Sequence, residues 1–202
     1  MKTFFILALM LLSLTFAQAQ GEQAPLQEKE FEYKNWTYKS VRDDQSINLR
    51  DFAKDKKLVM VVYFSAWCPN WRNEAPVAQR LYEKYKDHGF VVVGVSEYET
   101  VEKTLKDLEK KGIAFPVVYE SVSLQDREKT LHFGYRKEAG DTRKWGSPWN
   151  VFFVPSKMKK DGDTLVKKAF VVNGELIEAE VEKFIREKLG LKPEEAAAQK
   201  IQ

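Results

Sequence analysis

The amino-acid sequence predicts an α/β fold: a central mixed sheet flanked by helices, with an N-terminal β extension. Three observations predict it. Lys57 to Phe64 and Phe90 to Val95 are apolar almost throughout, as expected of strands buried on both faces of a parallel sheet. Each is followed by a stretch with helical spacing, Pro69 to His88 and Glu99 to Lys111, the alternation that builds parallel crossovers. Near the end, Trp149 to Val154 and Leu165 to Val172 flank Asp161-Gly162, a hairpin signal that adds antiparallel strands.

The elements follow in order. Gln20 to Glu30 is polar and reads as a flexible lead-in. Tyr33 to Val41 mixes aromatic and β-branched residues, as strands do. Asp43-Asp44-Gln45 is a turn signal, and Ser46 to Leu49 pairs back as a short strand. Asp51 to Lys56 is a helical turn. In the helix from Pro69, proline suits the first turn. Val77, Leu81, Tyr82 and Tyr85 recur at helical spacing, and Gly89 ends the run. Pro76 lies inside it and should kink it. Phe115 to Tyr119 is a third parallel strand, and Leu124 to Phe133 a helix. Gly134 to Gly146 is polar, basic and glycine-punctuated, and reads as a loop. Glu175 to Leu189 carries Leu176, Ile177, Val181, Phe184, Ile185 and Leu189 on one face, a terminal helix. Lys192 to Gln202 reads as a frayed tail.

The first residues read as a transport signal. Lys2 is followed by an apolar run, Phe4 to Phe16, and Ala17-Gln18-Ala19 fits a signal-peptidase site. Cleavage is expected after Ala19, giving an exported protein, periplasmic or secreted, with no stable membrane insertion. A retained N-terminal anchor is the rival reading. The expected division is 1–19 signal, 20–30 lead-in, 31–191 one domain and 192–202 tail. Net charge is +3 over 202 residues with both signs interspersed, which gives no argument for a nucleic-acid partner. One cysteine, Cys68, cannot form an internal disulfide. It is a free thiol, it pairs with another molecule, or it is a small buried hydrophobe.

Its surroundings decide which. Cys68 follows a buried strand and opens a helix. Unpaired N–H groups and the helix dipole favour negative charge there, and thiolate is the reactive form of cysteine. The stretch Trp67-Cys68-Pro69-Asn70-Trp71-Arg72-Asn73-Glu74-Ala75-Pro76 resembles the thioredoxin superfamily, in particular its exported TlpA/ResA-like branch and the related AhpC/TSA redoxins. That branch carries Trp-Cys-Pro-x-Cys-Arg-x-Glu-x-Pro. The resemblance extends from about Phe31 to Leu191 through Val91 to Ser96, Phe115-Pro116-Val117 and Gly146-Ser147-Pro148. It implies a thioredoxin-like fold. It also implies a cis Ser147–Pro148 bond in a loop against the attacking cysteine, which offers backbone groups to an extended peptide.

The departure from the family pattern matters as much. Trp71 stands where the second cysteine belongs. In a two-cysteine enzyme the second thiol releases the product by closing an internal disulfide, and Trp71 cannot. Three readings remain. Cys68 is a working monothiol that forms mixed disulfides with a protein or small-molecule thiol or disulfide. Alternatively, the protein is redox-inactive and binds a partner through an aromatic surface of Trp67, Trp71, Trp145 and Trp149. A lesser alternative is a one-cysteine peroxidase. Ser65 lies three before Cys68 as in peroxiredoxins, but Val61 stands where their proline belongs.

For the monothiol reading, Cys68 and Glu74 are the candidate catalytic residues. Glu74 matches a family carboxylate that tunes thiols or passes protons; an ordinary solvated helix residue is the alternative. Trp67, Pro69, Asn70, Trp71, Ser147 and Pro148 are the candidate substrate-binding residues. A surface position is expected for Trp71 and not for Trp67. Arg72 reads as a helix-surface residue, His88 as a helix end and His132 as packing. Two distant histidines and one cysteine make a poor metal set, and no cofactor is expected. Arg136, Lys137, Arg143 and Lys144 read first as a solvated loop and second as a basic rim steering an acidic partner.

Overall fold

The computed structural model describes residues 22–192. The elements in chain order are β1 (Gln23–Ala24), β2 (Gln27–Lys34), β3 (Thr37–Ser40), β4 (Ser46–Asn48), α1 (Leu49–Ala53), β5 (Leu58–Phe64), α2 (Pro69–Tyr85), β6 (Phe90–Ser96), α3 (Val101–Lys111), β7 (Val117–Tyr119), α4 (Leu131–Glu138), β8 (Trp149–Phe153), β9 (Thr164–Val172), β10 (Glu175–Leu176) and α5 (Glu178–Leu189). Short 3-10 turns occupy Lys86–His88, Leu124–Lys129 and Pro155–Lys157. The main sheet has eight strands in the order β2-β9-β8-β5-β6-β7-β3-β4. The centre is parallel, β5 with β6 and β6 with β7, while β8 and β9 run antiparallel.

The apolar run of β5 is explained by its place in the middle. Leu58, Met60, Val62 and Phe64 enter the core under α2 and α5. Val59, Val61 and Tyr63 enter a second core with Trp149, Tyr135 and Tyr33. Successive strand side chains point to opposite faces, so a strand covered on both sides has no polar position to spare.

Three expectations change. The described part of the lead-in, 22–30, is largely strand. β2 pairs antiparallel with β9 from Gln27, and β1 pairs parallel with β10. The exposed outer residues of β2 (Glu28, Glu30) hid the pattern, since only Phe31 and Tyr33 alternate into the core. The expected loop at 134–146 begins as helix, because α4 continues to Glu138 with Tyr135 and Arg136 buried. The terminal helix starts at Glu178, since Glu175–Leu176 is the strand that receives β1. α2 runs unbroken through Pro76 from Pro69 to Tyr85. The transport signal and its cleavage point, and all but the first residue of the expected tail, lie outside the described residues. Among the described residues, no helix is long and apolar enough to cross a membrane.

Candidate functional site

β5 ends at Phe64, and the chain turns through Ser65-Ala66-Trp67 into α2. The Cys68 N–H donates to the Ser65 carbonyl at 2.9 Å and closes that turn. Cys68 itself is the N-cap of α2, with extended backbone and no side-chain capping bond. Its sulfur therefore sits beside the unpaired N–H groups of a helix start. The residue is buried, 7% exposed, and packs at the edge of the core under α2.

The cover comes from the loop that precedes β8. The Ser147–Pro148 peptide bond is cis. Cys68 Sγ donates to the Ser147 carbonyl oxygen at 3.1 Å. Ser65 N–H donates to Ser147 Oγ at 2.9 Å. One residue of this loop thus holds both the turn before the cysteine and the cysteine itself. Beneath it lies a buried ion network. Arg136 Nε meets Asp141 Oδ2 at 2.9 Å with both side chains almost fully buried. Asp141 also takes Arg143 Nη2 at 2.8 Å, and Arg143 Nη2 donates to the Pro148 carbonyl at 3.0 Å. The Arg143 hydrogen bond and the two guanidinium charges outweigh burial and hold the Asp141 carboxyl below its usual range. Gly146 has φ +56°, and a Cβ there would lie 1.7 Å from Arg136 Nε. Only glycine admits the guanidinium at that point.

Glu74 is buried on α2. Its Oε2 accepts from Asn150 Nδ2 at 3.1 Å and from Leu176 N–H at 3.0 Å, while Oε1 has no partner. Burial pushes its carboxyl up to about 8, against the opposing pull of those two hydrogen bonds. The solvated-helix reading of Glu74 is thereby corrected. The local cause is that its side chain points under β8 and β10 rather than outward. Asn150, a polar residue inside an apolar strand, was the sequence signal for a buried polar partner.

The two tryptophans of the active turn exchange places relative to expectation. Trp71 is fully buried. Its ring stacks on Phe64 with centroids 4.0 Å apart, and its Nε1 donates to Asp107 Oδ2 at 3.0 Å. The large ring turns inward to bury its area and reach a polar partner. Trp67 is 39% exposed and meets Trp145 edge-on at 5.5 Å. Trp149 is buried and donates to Asn173 Oδ1 at 2.7 Å. The expected four-ring surface is therefore a two-ring surface of Trp67 and Trp145. Pro69 and Arg72 are exposed, Asn70 is half-buried, and Ser147 and Pro148 are buried. The basic loop divides as well: Arg136 is core, whereas Lys137 and Lys144 are exposed.

A second polar cluster escaped the sequence reading. Glu97, just after β6, is fully buried. Its Oε2 accepts from Ser121 Oγ at 3.1 Å. Burial, reinforced by the neighbouring Glu120, holds its carboxyl well above the usual range. His132 stacks on Tyr63 at 4.8 Å and 3°, with Nδ1 3.1 Å from the Tyr98 hydroxyl. Burial, then the Arg136 charge, keeps its imidazole neutral, well below the usual range. Tyr98 has φ +62° and lies 5.6 Å from Trp145. Its side chain links this cluster to the Trp67–Trp145 pair, of which Trp67 is exposed and Trp145 half-buried. A carboxylate at the end of an apolar strand, Ser96-Glu97, was the signal available for it.

Comparison with known proteins fits this arrangement. A stretch of the chain is 28% identical over 76 residues to the thiol-disulfide oxidoreductase ResA of Halalkalibacterium halodurans; the match covers 38% of this chain and 42% of ResA. The chain thus spans less than half the length of that relative. The fold is that of a thioredoxin-family thiol:disulfide interchange protein from Chlorobium tepidum, with TM-score 0.59 and 19% identity over 80% of this chain and 98% of the other. It is also that of a secreted thiol-disulfide isomerase from Corynebacterium glutamicum, with TM-score 0.55 and 16% identity over 81% and 92%. The AhpC/TSA family model matches residues 21–160, and with a thioredoxin-like fold carrying Cys68 at a helix start, the chain belongs to the AhpC/TSA family.

Proposed function

We propose that this protein is an exported monothiol thiol-disulfide oxidoreductase that acts through Cys68. The observation that carries the reading is the position of the sulfur: at the N-cap of α2, 3.1 Å from the Ser147 carbonyl, beside a cis-proline loop. The thiolate attacks one sulfur of a substrate disulfide. A Cys68–substrate disulfide forms, the old S–S bond breaks, and the other substrate sulfur leaves as a thiolate. With Trp71 in the core where a resolving thiol would stand, an external thiol must attack the mixed disulfide and return Cys68 to its reduced form. Glu74, six residues further along α2, serves as a buried acid that keeps its proton at neutral pH. The transport signal at 1–19 and the solved relative described as secreted support an oxidising compartment, periplasmic or extracellular.

Mixed-disulfide trapping tests this. Cells or compartment extracts carrying the protein are quenched in acid, alkylated and separated without reductant. Reductant-sensitive adducts with wild type and none with Cys68→Ser are expected. The same adducts with both proteins would refute the covalent role.

A further inference from the structure

The exposed large hydrophobic residues among those described are Trp67, Val122 and Leu124. All three lie at the end of the sheet that carries Cys68. Trp67 packs on Trp145. Trp145 and Leu124 line one hollow of 490 Å³ together with Arg127, Lys129, Lys144 and Glu128. An adjoining hollow of 290 Å³ shares Arg127 and Lys144 and adds Arg136, Lys137, Arg143 and Asp141. Across the two, Arg127, Lys129, Arg136, Lys137, Arg143 and Lys144 line the walls with Glu128 and Asp141, while Asp126 and Glu22 pair with Lys129 and Arg143. That is six cations against four carboxylates, an excess of two. The excess falls on Lys137 and Lys144, both exposed.

The cations are arranged around the ring rather than scattered. Arg127 Cζ lies 5.4 Å and Lys144 Nζ 5.2 Å from the Trp145 centroid. Arg127 also donates to the Lys144 carbonyl at 3.1 Å, which fixes the two relative to each other. Arg127 is paired with Glu128 and Lys129 with Asp126. Asp141 is occupied by Arg136 and Arg143. Among the described residues, Lys144 is left as the exposed cation beside the ring, one residue from it and three from Ser147. An apolar surface beside Cys68 with exposed lysines at its edge is built to hold apolar and acidic side chains at once.

We propose that the Trp67–Trp145 pair and the Arg127/Lys144 hollow form a substrate-selecting subsite for acidic peptides. A segment whose cysteine sulfur lies over Cys68 rests an apolar side chain on the two indoles and places a carboxylate at Lys144. This deepens the monothiol reading by naming its substrate class, and only the covalent half of the test depends on that reading.

The experiment uses the full-length wild-type chain and three fluorescent dodecapeptides with identical apolar residues. Each has serine at the position of the substrate cysteine and Glu, Gln or Lys at the flanking polar positions. Anisotropy titration at low salt is expected to rank them Glu, Gln, Lys, with the Glu peptide about tenfold tighter than the Lys peptide and the gap narrowing in salt. Lys144→Glu should cut that ratio by roughly threefold or more, and Trp145→Ala should weaken all three. Absence of binding, affinities within twofold of one another, or a ranking untouched by Lys144→Glu would overturn the subsite. In a parallel arm, the same peptides carry cysteine as its thionitrobenzoate disulfide. Attack by the Cys68 thiolate forms the Cys68–peptide disulfide and releases thionitrobenzoate anion. Selective binding of the serine peptides with no such release would sink the exchange reading and leave the subsite standing.

Discussion

Trp71 Nε1 donates to Asp107 Oδ2 at 3.0 Å, and this bond ties the residue in the resolving position to helix α3 on the inside of the fold. Asp107 is itself held by Lys111 one turn on. The ring on Phe64 is thus a packed part of the core with a satisfied polar tip. The substitution of a thiol by an indole is a structural commitment, and it carries a cost on reversal. Trp71→Cys is expected to lose stability on the order of 3–5 kcal/mol, as large-to-small core changes do. The variant should also gain an internal disulfide with Cys68 on mild oxidation, seen as a mass loss of two hydrogens. An oxidised variant that keeps two alkylatable thiols would contradict the redoxin geometry of the turn.

Ser147 holds the site from the loop side. Its Oγ is the acceptor for the Ser65 N–H, so Ser147→Ala leaves a buried donor unpaired, at an expected cost of about 1–3 kcal/mol. Denaturant unfolding measures it. The same variant should change the rate at which Cys68 reacts with a thiol reagent, because Ser65 sets the turn that positions the cysteine. Unaltered stability and rate would show that the loop does not brace the turn.

The ion network below the loop makes a separate prediction. Asp141→Asn breaks a buried pair with Arg136 and loosens Arg143, a change worth roughly 3–5 kcal/mol. Gly146→Ala must displace the Arg136 guanidinium and should lower the melting temperature. If Gly146→Ala melts with wild type, Arg136 is not locked where it stands.

Glu74 gives the stability a pH dependence of defined sign. Its carboxyl titrates near 4.5 when unfolded and near 8 in the fold. Between these values the unfolded chain releases a proton that the folded chain retains. The contribution is therefore complete below about 4.5 and is lost as pH rises toward 8. Glu74→Gln keeps an acceptor for Asn150 and Leu176 and removes the titration. Relative to wild type it should gain stability from pH 5 to pH 8, by up to roughly 4 kcal/mol. A constant difference across that range would show that Glu74 is ionised in the fold.

Much of this was legible in the sequence. The apolar runs at 57–64 and 90–95 fitted doubly buried strands, and Trp-Cys-Pro after such a strand put the sulfur at a helix start. Side-chain direction within the active turn was not legible. Trp67 and Trp71 are both tryptophans near one cysteine, and only the packing of Phe64 and the reach to Asp107 decide that Trp71 turns in and Trp67 out. Long-range polar partners were equally hidden. Glu74 meets Asn150 and Leu176 across 76 and 102 residues, and Arg136 looks like loop charge until Gly146 is seen to fold over it. β2 was missed because an edge strand with one solvated face shows only every second residue to the core.

The account rests on Cys68 being a thiol that works in the folded protein. Its most direct measure is the rate of Cys68 modification by a small neutral alkylating reagent, followed by intact mass from pH 5 to pH 9 under native conditions and again in denaturant. The account predicts complete modification of the native protein at pH 7, on a timescale set by reagent concentration. Modification that occurs only after denaturation, at every pH, would make Cys68 an inert core sulfur and contradict the proposed chemistry.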